Sequence, residues 1–157
     1  MRLLSCFLLA LSSFAQTPAS RVAAVLDDWH QAAGVADEAR YFSHFAPNGV
    51  FMGTDATEHW TVSEFRVWAK PYFDKKKAWS FKPRERHIAF SPDGATAWFD
   101  ETLDTPNLGV CRGSGVLLLQ SGAWKIAQYN LSIAIPNSIA DAVVKQVAAA
   151  GKAEIRR

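Results

Sequence analysis

The chain has 157 residues, with 17 Lys and Arg against 15 Asp and Glu, a formal net charge of +2 at pH 7 and two cysteines. This length suits one domain with its own hydrophobic core. A charge so near zero gives no reason to expect a nucleic acid or another polyanion as partner, and two cysteines exclude a fold held together by several disulfides.

The first 15 residues have the pattern of a cleaved secretion signal. Arg2 precedes an apolar run from Leu3 to Leu11, and Ser13-Phe14-Ala15 offers small residues for a signal peptidase. The run is too short to span a bilayer as a stable helix, and Cys6 lies too near the N-terminus for lipid attachment. We therefore expect a periplasmic or secreted protein with no membrane association after cleavage, the alternative being an uncleaved anchor.

The mature chain would carry 16 basic and 15 acidic residues and a single cysteine, Cys111. No intramolecular disulfide can then form, so the core must supply the stability. We expect residues 16–19 to be a disordered lead, residues 20–137 to form the domain, and residues 138–157 to be a C-terminal helix and tail.

Two helices are predicted first. Ser20 can cap a helix whose apolar residues recur at helical spacing as far as Gly34. A second, shorter helix runs from about Asp37 to Phe45, followed by a short strand from Val50 to Gly53 and a loop over residues 54–60.

A third helix starts at Thr61, because Thr61 and Glu64 have the spacing of a capping box. Phe65, Trp68 and Ala69 are predicted to form its buried face, and Pro71 to kink or end it. The Asp74-Lys75-Lys76-Lys77 segment is predicted to be a solvated turn, not a nucleic-acid patch, since no stacking motif accompanies it.

Four antiparallel strands and a final helix complete the predicted elements. The strands are Ala78 to Phe90, Ala95 to Leu103, Gly109 to Leu119 and Ala123 to Ile133. Ser138 can cap a last helix that ends at Gly151. Its predicted apolar face consists of Ile139, Ala140, Val143, Val144 and Val147.

A two-residue turn at Ser121 and Gly122 fixes a register for the last two strands. Leu119 then lies opposite Trp124 and Leu117 opposite Ile126. Continued along the strands, the same register places Gly115 opposite Gln128 and Gly113 opposite Asn130. Glycines facing two inward amides leave room for a ligand or another backbone; alternatively they only let the sheet bend.

This order of elements is α+β and resembles the nuclear transport factor 2-like superfamily, in particular its SnoaL-like bacterial members. The resemblance implies a strongly curved antiparallel sheet wrapped around the N-terminal helices, the cystatin-like roll, with a cone-shaped pocket between them and frequent dimerisation through the sheet. The matching segments are Thr54-Asp55, Glu58-His59-Trp60, Lys70-Pro71-Tyr72-Phe73, Trp98-Phe99-Asp100-Glu101, Cys111-Arg112-Gly113-Ser114-Gly115 and Trp124-Lys125-Ile126-Ala127-Gln128-Tyr129.

For an enzyme, the resemblance implies a general base with a raised pKa in the pocket, and beside it a preorganised hydrogen-bond donor. The candidate bases are Asp100 and His87, with Glu101 as the alternative carboxylate because neighbouring strand residues point to opposite faces. We predict that Asp100 faces inward beside Trp98, while Glu101 faces outward near Arg112. The possible donors are Tyr41, Trp60 and Trp98.

Other site classes have little support. The four histidines lack paired metal-ligand spacing, no glycine-rich phosphate loop is present, and Cys111 is predicted to be a buried strand thiol. We therefore expect neither a metal nor another cofactor.

Three functional hypotheses follow. The first is binding of a small, largely apolar molecule in the cone. The second is an isomerase, cyclase or dehydratase with Asp100 or His87 as base, and the third is a homodimeric interaction module with a filled cavity. The predicted ligand-binding residues are Trp60, His87, Trp98, Asp100, Gln128 and Asn130.

Overall fold

The computed structural model describes residues 16–154, so the predicted signal at residues 1–15 lies outside the described residues. The fold is α+β. Its elements in chain order are α1 (Pro18–Gly34), α2 (Glu38–Ser43), β1 (Phe45–Met52), β2 (His59–Thr61), α3 (Val62–Asp74), β3 (Lys82–Phe90), β4 (Thr96–Thr105), β5 (Gly109–Gln120), β6 (Ala123–Ile133), a 3-10 turn (Asn137–Ile139) and α4 (Ala140–Glu154).

Helix α1 begins earlier than predicted. Its N-cap is Thr17, whose hydroxyl accepts a hydrogen bond from the Ser20 backbone N–H at 3.2 Å. Pro18 occupies the first turn, where its fixed φ suits a helix and its missing N–H costs nothing. The prediction of Ser20 as the cap is therefore wrong, and Pro18 and Ala19 belong to the helix, not to the lead.

Helix α3 confirms the predicted capping box. The Thr61 hydroxyl accepts from the Glu64 N–H at 3.3 Å, and the Glu64 carboxylate accepts from the Thr61 N–H at 2.8 Å. The helix continues through Pro71 to Asp74. Trp68 was expected on the buried face but is 41% exposed.

The sheet has six strands in the order β2-β1-β6-β5-β4-β3 and is curved and unclosed. All neighbouring pairs are antiparallel except β1 and β6, which run parallel. The sheet differs from the prediction in three of its strands: β1 starts at Phe45, β2 lies in the expected loop, and β3 starts at Lys82 instead of Ala78. The turn at Ser121 and Gly122 is confirmed, with φ of 48° and 81° at its two residues.

The core lies between the three N-terminal helices and the concave face of the sheet, and much of it is aromatic. Trp29 stacks on Tyr41 with ring centroids 5.1 Å apart and meets Tyr129 edge-on at 4.6 Å. The predicted burial of Cys111 is confirmed. Further buried aromatic residues are Phe42, Phe45, Phe51, Phe65, Phe73 and Phe99.

Helix α4 is largely exposed. Val144 and Val147, on its predicted apolar face, are 65% and 66% exposed, and the helix packs mainly against the preceding 3-10 turn. Of the helices within residues 16–154, none is both long enough and apolar enough to cross a membrane.

Candidate ligand-binding site

The predicted catalytic pair lies on the outer face of the sheet, away from the helices. His87 Nδ1 donates a hydrogen bond to Asp100 Oδ2 at 3.1 Å, and the two side chains are 65% and 53% exposed. The hydrogen bond and the charge of Asp100 raise the pKa of His87. Trp98, 48% exposed, shares this face. The prediction that Asp100, His87 and Trp98 line a concave pocket is therefore wrong.

A β-bulge in β6 changes the predicted register. The pairs Leu119–Trp124 and Leu117–Ile126 are confirmed, but the next partners are Val116 and Gln128. One extra residue in a strand reverses the face on which all later side chains lie. Gln128 and Asn130 therefore lie on the outer face, and their prediction as pocket residues is wrong.

The glycines of β5 consequently face different partners. Gly115 lies opposite Tyr129 and Gly113 opposite Leu131. A Cβ atom built on Gly113 would lie 2.5 Å from the Tyr129 hydroxyl oxygen and 3.1 Å from Glu101 Oε1. The room that Gly113 provides is therefore filled by the hydroxyl end of Tyr129 and by the Glu101 carboxylate.

Glu101 is the carboxylate that faces the core, and it is fully buried. His30 Nε2 on α1 donates to Glu101 Oε1 at 2.7 Å, and Arg86 Nε on β3 donates to Oε2 at 2.8 Å. Arg86 also donates to Asp27 at 2.8 Å and to the Ala23 carbonyl oxygen at 3.2 Å. Glu101 thus connects α1 to the sheet and does not face outward beside Arg112 as predicted.

The environment of Glu101 keeps it ionised. Burial alone would raise its pKa, but the hydrogen bonds from His30 and Arg86, together with the positive charge of Arg86, outweigh burial and lower the pKa below its ordinary value. Burial raises the pKa of Tyr129 well above its usual value. The Tyr129 hydroxyl is buried without a hydrogen-bond partner among the described residues.

An open cavity, here called the mouth pocket, lies at the wide end of the cone and has a volume of about 480 Å³. Stacked aromatic side chains form its wall. The ring planes of Trp60 and Phe65 differ by 7°, those of Trp60 and Trp68 by 27°, and those of Trp68 and Trp79 by 39°. Of the six predicted ligand-binding residues, only Trp60 lines this pocket. The polar residues around it are Thr54, Glu58, Lys77, Ser80 and Asn107.

A second cavity of about 330 Å³, the side pocket, is lined by His30, Asp27, Phe81, Lys82 and neighbours. Ser80 and Phe81 line both pockets. The rings of His30 and Phe81 are 5.9 Å apart. Phe81 therefore separates the apolar mouth pocket from the cavity that reaches the His30 and Glu101 pair.

Sequence reasoning missed His30, Arg86 and Phe81 as site residues. His30 lies within the helical pattern of α1 and has no paired histidine to mark it, while Phe81 precedes and Arg86 follows a strand irregularity near Pro83. Within residues 16–154, no group of three or more His, Cys, Asp and Glu side chains is arranged to hold a metal ion.

Comparisons with known proteins agree with this architecture. Residues 22–136 match the SnoaL-like domain family. No curated protein matches the sequence.

Many solved structures are similar in fold, and three of them serve as examples. A nuclear transport factor 2-like protein of unknown function from Pseudomonas putida is 12% identical, with 78% of this chain and 92% of that chain covered and a TM-score of 0.64. A candidate dehydratase of the same family from Streptomyces avermitilis is 16% identical, with 76% and 100% covered and a TM-score of 0.63. A candidate ketosteroid isomerase from Shewanella frigidimarina is 19% identical, with 73% and 97% covered and a TM-score of 0.59.

Residues 22–136 match the family model and the fold agrees with it, so the chain belongs to the SnoaL-like domain family and has the fold of nuclear transport factor 2-like proteins.

Proposed function

We propose that this protein is exported and binds a small, flat and largely apolar molecule in the mouth pocket. The export half of the proposal rests on the sequence of residues 1–15. The binding half rests on the aromatic wall, whose nearly parallel rings present a flat apolar surface next to an open volume of about 480 Å³. That volume is in the range of small-molecule sites.

Polar groups at the edge of the pocket would orient the ligand. Lys77 and Glu58 supply opposite charges, while Ser80 and Asn107 supply neutral hydrogen-bonding groups. A ligand with an apolar body and one or two polar substituents matches this distribution, because its body would stack on the wall and its substituents would remain at the edge.

The test is native mass spectrometry of the protein purified from its own host, first intact and then denatured to release any bound molecule. Leu108→Trp would fill the pocket, since Leu108 lines it. Val110→Trp is the matched control, because Val110 is 39% exposed outside the pocket. We expect a stoichiometric small molecule with the wild type and the control, and its loss with Leu108→Trp. Recovery of the same molecule from Leu108→Trp would refute the mouth pocket as its site.

A second candidate function is proton transfer, as in an isomerase, cyclase or dehydratase, with His30 as the general base. The supporting observation is that Glu101 holds His30 through Nε2 at 2.7 Å while His30 lines the side pocket. A carboxylate placed in this way fixes the orientation and tautomer of the imidazole, so that the other ring nitrogen can accept a proton. Two structural neighbours named as a candidate isomerase and a candidate dehydratase make this class worth testing.

This alternative is distinguished from simple binding by incubating the recovered molecule with the protein in D₂O. Catalysis by His30 requires deuterium incorporation or rearrangement that His30→Gln abolishes while binding persists. His87→Gln is the matched control, because His87 is exposed on the outer face. Unchanged ligand in the presence of wild-type protein would leave binding as the function.

A further inference from the structure

Helix α3 carries an apolar strip that the core does not cover. Val67 is 76% exposed, Trp68 41% and Tyr72 44%, and Pro71 between them is also exposed. The buried face of the same helix consists of Phe65, Ala69 and Phe73. The strip is therefore additional to the face that packs on the domain, and its exposure needs another explanation.

Lysines adjoin this strip. Lys75, Lys76 and Lys77 follow the helix directly, and none of them forms an ion pair with a side chain that the structure describes. Lys70, by contrast, is paired with Asp74 at 2.7 Å. The end of α3 therefore carries three uncompensated positive charges.

The lysines and the apolar residues form one surface. Lys75 and Lys77 line a shallow depression together with Trp68, Pro71 and Tyr72. Tryptophan and tyrosine favour the boundary between water and lipid, where the ring is apolar and the polar atom stays hydrated. Lysines beside them add attraction to anionic headgroups.

The same surface borders the mouth pocket. Trp68, Tyr72 and Lys77 line both the depression and the pocket. A flat surface pressed against the strip would therefore lie next to the pocket entrance. The carboxylates of this region are Glu58 at the edge of the pocket, Glu64 at the start of α3, where the Thr61 hydroxyl and N–H hold its carboxylate, and Asp74, which Lys70 neutralises.

We propose that the segment from Val67 to Lys77 docks on the surface of an anionic phospholipid bilayer, so that an apolar ligand passes directly between the bilayer and the mouth pocket. The ligand transfer rests on the proposed function, whereas the docking does not. The proposal departs from the expectation of no membrane association, because the exposure of Val67, Trp68 and Tyr72 becomes visible only in the folded chain. The three free lysines favour an anionic bilayer over a neutral one.

The test is co-sedimentation of the mature protein with vesicles of phosphatidylcholine alone and of phosphatidylcholine mixed with phosphatidylglycerol. We expect binding to the mixed vesicles only, weakening as salt is added. Replacing Lys75, Lys76 and Lys77 by serine should weaken binding roughly a hundredfold. Val67→Glu should also weaken it, since Val67 belongs to the strip but not to the pocket.

The charge-matched control replaces Lys82, Arg112 and Lys145 by serine, three exposed cations elsewhere on the molecule. Equal weakening by both triple variants would overturn a local docking site, as would equal binding to neutral and anionic vesicles or none to either. Retention on a polyanion such as heparin with no vesicle binding would also overturn it. Leu108→Trp separates the two proposals: it should lose the pocket ligand yet bind vesicles like the wild type.

Discussion

Among single residues, the adjacent carboxylates Asp100 and Glu101 show how much of the site can be predicted from the sequence. Ala97, Phe99 and Leu103 are buried and alternate along β4 in phase with Glu101. This alternation indicates that Glu101 faces inward. The sequence prediction instead placed Asp100 inward, because it grouped Asp100 with the aromatic Trp98 on one face. The partners His30 and Arg86 could not be predicted, because helix packing and strand pairing bring them from distant parts of the chain.

Glu101→Gln should destabilise the protein by about 3 kcal/mol, because it removes the buried carboxylate partner of Arg86 and leaves only the exposed Asp27. It should also reduce the dependence of stability on pH. The pKa of Glu101 lies below its ordinary 4.5 in the folded state. The carboxylate therefore stabilises the fold above the unfolded-state pKa, and this contribution is lost as the pH falls through the folded-state pKa.

Urea unfolding of both proteins at neutral pH and at successively lower pH measures this effect. The stability difference between wild type and Glu101→Gln should shrink as the pH falls. Asp100→Asn, on the exposed neighbouring position, is the control and should change stability by no more than about 0.5 kcal/mol. A difference that stays constant with pH would show that the Glu101 charge is not responsible.

At the scale of elements, features set by neighbouring residues were predictable and features set by distant pairing were not. The capping box of α3 and the turn at Ser121 and Gly122 depend on residues within one turn of chain, and both were predicted. Strand β1 is longer than predicted because Phe45 pairs with Ile126 of β6, ahead of the irregularity at Pro47 and Asn48, and the pairing resumes at Val50. The bulge in β6 has no local sequence signal of this kind.

Helix α4 should contribute little to the stability of the isolated domain. Val144 and Val147 remain largely exposed, so its removal uncovers little apolar surface. A chain ending at Ile139 should unfold in urea within about 0.5 kcal/mol of the full mature chain. Ile126→Ala, at a fully buried position of β6, is the positive control and should cost about 2–5 kcal/mol. A comparable loss on truncation would show that α4 packs on the domain in solution.

For the whole molecule, the sequence indicated a cone but not how far side chains fill it. Trp29, Tyr41 and Tyr129 close the inner end, whereas Trp60 and Trp79 leave the wide end open. Strand register decides which side chains of a curved sheet point into the cone. The bulge in β6 therefore brings Tyr129 into the cone in place of Gln128. Trp98 and Asp100 alternate with the buried residues of β4, and His87 pairs with Asp100, so all three lie on the outer face, where they are available to a partner.

We propose that this outer face forms a homodimer interface, with Trp98 near its centre. Its cross-strand neighbours Ala89 and Val116 are partly buried and apolar, and aromatic residues in such surroundings often dominate binding energy. Light scattering during size-exclusion chromatography should show a dimer for the wild type and a shift towards monomer for Trp98→Glu, because a charge would be buried against its symmetry copy. Val67→Glu adds the same charge on α3 and should remain dimeric. A dimer that survives Trp98→Glu would place the interface elsewhere, and a monomeric wild type at all concentrations would refute dimerisation itself.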